Sequence, residues 1–256
     1  MGESWPQRTA EVLAPLLATY YDNYNRILHL VRTYKDLYGS GAGRRAVHKG
    51  DILRSAVVFT HAALEALLRG LGCLYLHEAG PHALDSVPLT GHGEKLRAEK
   101  FFLGALVQHR GKTVDEVLSE SVTDYLNQRS FNDTNEICAL LASLGVAIEG
   151  PIKESLPELQ KLIRRRHQIV HQADLTSDRG RGRQRAASIS VKQVLKWLKA
   201  TREFSIGVTS FVIDREYEKI HGMTLTERDE LIAGLEARVR KIERLEKRVR
   251  EPDASA

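Results

Sequence analysis

Apolar residues recur three and four positions apart along nearly the whole chain, and no stretch alternates with the period of a strand. The first such stripe joins Val12, Leu16, Leu17, Tyr20, Tyr24, Ile27, Leu28, Val31 and Leu37, which predicts a helix over Ala10 to Tyr38. The glycine-rich run Gly39 to Gly43 then reads as a linker. Asp51 is placed to cap a strongly apolar helix reaching about Leu71, with Leu53, Val57, Ala63, Leu64, Leu67, Leu68 and Leu71 on its core face. Prolines and glycines make residues 80 to 93 a loop.

Shorter helices are expected over Glu94 to Gln108 and Val114 to Asn127. Asp133 and Glu136 form a capping-box pattern for a helix ending at Gly145. The same pattern at Ser155 and Glu158 predicts a second helix start, with Pro157 in its first turn, and at Ser190 and Gln193 a third, opening a helix to about Glu218. From Thr224 to Arg250, Leu231, Leu235, Ile242, Leu245 and Val249 draw one seam on a charged helix, suited either to a coiled coil or to lying across the core. The fold class is therefore all-α, arranged as an N-terminal helix and linker (1–45), a helical core (46–222) and a C-terminal amphipathic helix and tail (223–256).

Hydrophobic residues make up 42% of the 256 positions, enough to build a core and to exclude a wholly disordered chain. No continuous apolar run approaches the roughly eighteen residues of a membrane span, and no signal peptide is readable, so a cytoplasmic protein is expected. Cys73 and Cys138 lack partners at ligand spacing and read as buried free thiols. The net charge is +5, and its distribution matters more than its size. Between Arg164 and Arg185 seven arginines face two acids, the electrostatic footprint of a polyanion partner.

That patch begins inside the most informative segment, Leu159 to His171. Leu159, Leu162, Ile163, Val170 and Ala173 form its inward stripe, and Arg166 falls in the middle of it. An arginine there must either satisfy several hydrogen bonds or face a cleft or subunit seam. His171 lies five residues on, about 140° further round the helix, within reach of one cleft at the helix edge. Guanidinium suits phosphate oxygens, and imidazole titrates near neutrality, so the pair supplies charge stabilisation and proton exchange at a phosphodiester. His167 and His171 also stand at the i, i+4 spacing of two metal ligands, but no neighbouring acid or cysteine completes a site, and no metal or other cofactor is expected.

The string Arg166-His-Gln-Ile-Val-His171 resembles the R-x4-H motif of HEPN domains. Asp51 to Glu65 is similar to the first core helix of the RiboL-PSP-HEPN branch, and Arg129-Ser-Phe-Asn132 to its mid-domain signature, so the resemblance covers roughly residues 50 to 218. It implies a helical bundle forming a homodimer in which two motifs face one another across a shared cleft. It further implies a metal-independent RNA endonuclease that leaves a 2′,3′-cyclic phosphate, in a toxin or antiviral-defence setting with an antitoxin or defence-system partner. By position, Arg166 would polarise the scissile phosphate, His171 would exchange the proton, and His167 would support them. Such toxins often carry a tyrosine two residues after the histidine. Ala173 stands there instead.

RNA would be held by Arg164 and Arg165 and by the run Arg179, Arg181, Arg183 and Arg185, an affinity that weakens with salt. Glu65, with His61 and Arg69 at four-residue steps, is either an ordinary solvent-side ion-pair group or the tether of an active-site cation. Tyr20, Tyr21, Tyr24, Tyr34 and Tyr38 read as core or interface rather than as a base-stacking platform. Two other classes stand beside the nuclease: a non-catalytic module of the same shape that binds RNA, nucleotide or a protein, and a coiled-coil assembly protein built on the last helix.

Overall fold

The computed structural model describes residues 5–39, 47–90, 103–175, 186–219 and 225–250. Among these the regular elements are all helices. The α-helices are α1 (Trp5–Tyr38), α2 (Asp51–Tyr75), α3 (Pro81–Leu84), α4 (Val114–Gln128), α5 (Thr134–Ser143), α6 (Gly150–Gln172), α7 (Val191–Lys219) and α8 (Leu225–Arg250). The one extended pairing among the described residues is the antiparallel bridge between Leu175 and Ala186.

Helix α2 is central. It packs against α1, α4, α6 and α7, while α6 lies along α7 and α8 along α1. Leu53, Leu64, Leu67, Leu68 and Leu71 are fully buried, and burial of each such side chain contributes about 1.5–3 kcal/mol. Close approach needs small residues at the crossings: a Cβ on Gly70 would strike Leu16 of α1, and one on Gly72 would strike Leu126 of α4. The segment His48–Glu78 is long and apolar enough to cross a bilayer by length and composition, against the expectation that none would be. Most of its apolar side chains pack against neighbouring helices, Phe59 being an exposed exception, and Arg54, His61 and Glu65 are buried within it. We read it as a core helix.

Several boundaries differ from those the pattern predicts. Gly50, not Asp51, is the N-cap of α2, and the Asp51 carboxylate accepts from Arg54 Nη1 at 3.0 Å instead of capping. Helix α2 also runs on to Tyr75. Helix α6 opens at Gly150 with Pro151 in its first turn, so Ser155 and Pro157 are interior. Ser155 Oγ donates to Ile152 O at 2.7 Å, and Glu158 pairs with Lys161 and Lys196 rather than closing a box. The Asp133 cap is present, accepting from the Asn135 and Glu136 amides. Thr113 and Glu116 form a full capping box that opens α4. The Ser190 hydroxyl accepts from the Gln193 amide at 3.2 Å at the start of α7. Most of the helix expected over Glu94 to Gln108 lies outside the described residues, and Leu103–His109 is a 3-10 segment.

The two terminal helices belong to the shared core. Tyr20, Tyr21, Tyr24 and Tyr34 of α1 are buried. In α8, Ile242 and Val249 turn inward, and buried Glu246 accepts from Tyr24 Oη and from Arg202 Nη1 at 3.0 Å. Lys35 Nζ donates to Val249 O at 2.6 Å. The C-terminal half of α8 is thus laid across the core, resolving the choice the seam left open for that half. The side chains of Leu231 and Leu235 lie outside the described residues.

Candidate functional site

The helix that carries the motif, α6, packs against α2, α5 and α7. Along α2, Arg54, His61 and Glu65 form a polar stripe on an otherwise apolar buried surface. Glu65 is only 8% exposed, which sets aside the solvent-side ion pair. Its carboxylate accepts from the Phe131 amide at 3.1 Å and lies 3.6 Å from His61 Nδ1 and 3.7 Å from Arg69 Nη2. His61 Nε2 lies 3.0 Å from the Phe131 carbonyl, to which it donates in the tautomer this contact requires. Arg69 closes the same strap by donating to the carbonyls of Leu126 and Arg129 at 3.2 and 2.8 Å. The segment Arg129 to Asn132 is therefore fastened to α2 through its backbone, which explains why it demands particular residues on α2.

Burial pushes the His61 imidazole below its ordinary titration range. The Glu65 carboxylate and the Phe131 carbonyl oppose that shift, and the charges of Arg166 and Arg69 reinforce it. Arg166 of α6 is thereby within electrostatic reach of the α2 stripe. It is half-buried and has no hydrogen bond and no carboxylate partner among the described residues. A guanidinium in this state is held in place by packing of its stem while its donors remain available.

His167 and His171 follow on the exposed side of the last turns of α6, their rings 4.6 Å apart and tilted by 44°. Arg166 thus lies within reach of α2, and His167 and His171 lie together on the exposed side of α6. Arg164 is exposed. Arg179, Arg181, Arg183 and Arg185 lie outside the described residues, but the ends of their segment meet at the Leu175–Ala186 bridge, just beyond His171.

Arg165 does not join the exposed set. Its Nη2 donates to Asp174 Oδ2 at 2.8 Å and to the carbonyls of Ala187 and Ser188, each at 3.1 Å. Arg54 reaches the same groups, with Nε on Asp174 Oδ2 at 2.6 Å and Nη2 on Ala187 O at 2.9 Å. Two guanidinium groups therefore grip one buried carboxylate and one carbonyl. The phosphate contact expected of Arg165 is replaced by this internal role. Burial together with the neighbouring Arg54 charge lowers the Arg165 guanidinium from its usual range, against the pull of Asp174.

The sequence reading gave Asp174 and Arg54 no role. Arg54 carried a signal, since it shares a helix face with His61 and Glu65 at seven- and eleven-residue steps. Asp174 carried none, because its partners depend on a reversal of the chain. A cavity of about 250 Å³ lined by Thr90, Ser119, Glu120, Thr123 and Asp124 contains none of the candidate residues. No family model, no curated protein and no solved structure matches this chain.

Proposed function

We propose that the chain is a metal-independent RNA endonuclease of the HEPN type, acting as a homodimer. The observation that carries the reading is the contrast within α6: Arg165 Nη2 is engaged by Asp174 and backbone carbonyls, while Arg166, one residue on, has no hydrogen-bond partner among the described residues and is followed by two exposed imidazoles. The resemblance of Arg166 to His171 to the R-x4-H motif supports the same assignment, and the arginine-rich segment beyond His171 suits a polyanion.

In this reading the RNA 2′-hydroxyl attacks the adjacent phosphorus. The 2′-oxygen–phosphorus bond forms and the bond to the 5′-oxygen breaks, leaving a 2′,3′-cyclic phosphate. One proton leaves the 2′-hydroxyl and one is delivered to the departing 5′-oxygen. His171 exchanges these protons, Arg166 neutralises charge on the pentavalent phosphate, and exposed His167 supports the pair from the preceding turn. Glu65 and His61 act at a distance, by holding the Phe131 strap beside the guanidinium.

Incubating the purified chain with labelled RNA in EDTA tests the proposal. Cleavage by the wild type and none by His171→Ala is the expected result. Equal cleavage by both overturns it.

A further inference from the structure

The last turn of α6 ends in an unusual way. Ala173 and Asp174 both adopt left-handed backbone conformations, with φ of 48° and 56°. A left-handed residue after a helix is ordinarily glycine, because a Cβ crowds the adjoining carbonyl. Here two consecutive non-glycine residues hold that shape. The reversal is closed by the Ala173 and Asp174 amides, both donating to Gln168 O, the latter at 3.0 Å. Leu175 N donates to Gln172 O at 3.0 Å, and Ala187 N to Asp174 O at 2.7 Å. The Asp174 side chain, 2% exposed, then takes the Arg54 and Arg165 contacts described above.

Arg54 is itself fixed from three directions, by Asp51, Asp174 and Ala187. Its guanidinium passes so close to Gly50 that a Cβ there would lie 2.7 Å from Nη1. Gln168 O, which receives both closing amides, sits between His167 and His171 in the chain. The carboxylate of Asp174 thus ties the turn bearing both imidazoles to the N-terminal end of α2.

We infer that Asp174 is a positioning residue for the nuclease site, holding the turn of α6 that carries His167 and His171 in register with Arg166 through its clamp by Arg54 and Arg165. This rests on the proposed nuclease reading for its catalytic consequence, but not for the clamp itself. Asp174 contacts Arg54, Arg165 and the backbone, and acts on the imidazoles only through the helix end. It holds Ala173 and itself in the left-handed shape that ends the helix, and without it the last turn frays. Misplacement of a catalytic group by about 1 Å costs on the order of a hundredfold in rate.

The test is Asp174→Asn in the full chain, below its unfolding temperature, with Ala173→Gly added as a rescue. Glycine adopts the left-handed conformation without crowding and so restores the helix end without the clamp. In Asp174→Asn, amide exchange over Gln168 to Gln172 is expected to rise about tenfold while α2 and α7 keep their protection. RNA cleavage is expected to lose about tenfold or more in kcat with KM within about twofold. Ala173→Gly in the same chain should recover most of both losses. Unchanged exchange over Gln168 to Gln172 overturns the clamp. Lost protection with unaltered kcat, or a loss confined to KM, overturns the positioning role. Failure of Ala173→Gly to restore either quantity overturns the link through the helix end. Exchange reads the clamp even if the wild type cuts no RNA, an outcome that overturns the nuclease reading and the catalytic half of this inference while leaving the clamp to the exchange result.

Discussion

Two groups of cations on α6, adjacent in sequence, are in opposite physical states. Arg165 sits in a buried ion pair, with Asp174 as countercharge, Arg54 as second donor and the Ala187 and Ser188 carbonyls as further acceptors, although Arg165 Nε and Asp174 Oδ1 make no hydrogen bond. Around Arg166 there is cationic charge and imidazole, but no carboxylate partner among the described residues. Removing one member of a buried pair leaves its partner uncompensated, so the first group is costly to disturb. The second has no such pairing among the described residues, so disturbing it should cost little in folding. The difference separates residues that hold the helix from residues the helix presents.

Exchanging the two phenotypes is the sharpest way to break this comparison. Arg166→Met is expected to lower cleavage by about a thousandfold, near 4 kcal/mol of transition-state stabilisation, while changing urea stability by less than about 0.5 kcal/mol. Arg165→Met should do the reverse in kind, costing about 2 kcal/mol of stability through lost charge-assisted hydrogen bonds, with catalysis affected only through the helix end. If both variants lose stability alike, the distinction between them fails.

A smaller effect sharpens the structural side. Gly50→Ala places a methyl against Arg54 Nη1, and denaturant titration should show a loss of about 1 kcal/mol. The loss should shrink when Arg54 is already replaced by Met, since the obstructed group is then shorter. Equal losses in both backgrounds would place the strain elsewhere.

The smallest effect concerns His61. Its folded-state titration lies below the ordinary value of about 6.5, because burial disfavours the charged ring. The unfolded chain therefore takes up a proton first as the pH falls. The contribution of neutral His61 is fully present above about pH 6.5 and is lost as the pH drops through the interval down to its folded-state value. Melting temperatures of wild type and His61→Gln, compared from pH 7.5 to 5, should show the steeper decline in the wild type. Parallel curves would mean that His61 does not carry this dependence.

The helical class was readable from periodicity because each helix carries its own apolar stripe, and several ends were readable from local caps such as Asp133 and Ser190. The misread start of α6 shows where that fails. Ser155 and Glu158 have capping-box spacing, but Gly150 and Pro151 had already begun the helix, and Ser155 Oγ could satisfy itself on Ile152 O. Arg166 announced itself as a charge in line with Leu159, Leu162 and Ile163, but the buried stripe ends at Ile163, since Val170 is 47% exposed and Ala173 is exposed too. Glu65 was harder to place, since its burial depends on a strap sixty-six residues away in the chain that spacing along α2 does not reveal. Asp174 was invisible because its role arises only after α6, its left-handed end and the Leu175–Ala186 bridge have brought Arg54 and Ala187 together.

Arg166 and the imidazoles that follow it are proposed to cut RNA without a metal. Analysis of product ends from labelled RNA in EDTA tests this most directly. The account predicts 2′,3′-cyclic phosphate termini from the wild type and uncut RNA from the Arg166→Ala, His171→Ala double variant. Termini of any kind from the double variant, or cleavage that appears only when a divalent metal is added, would contradict it.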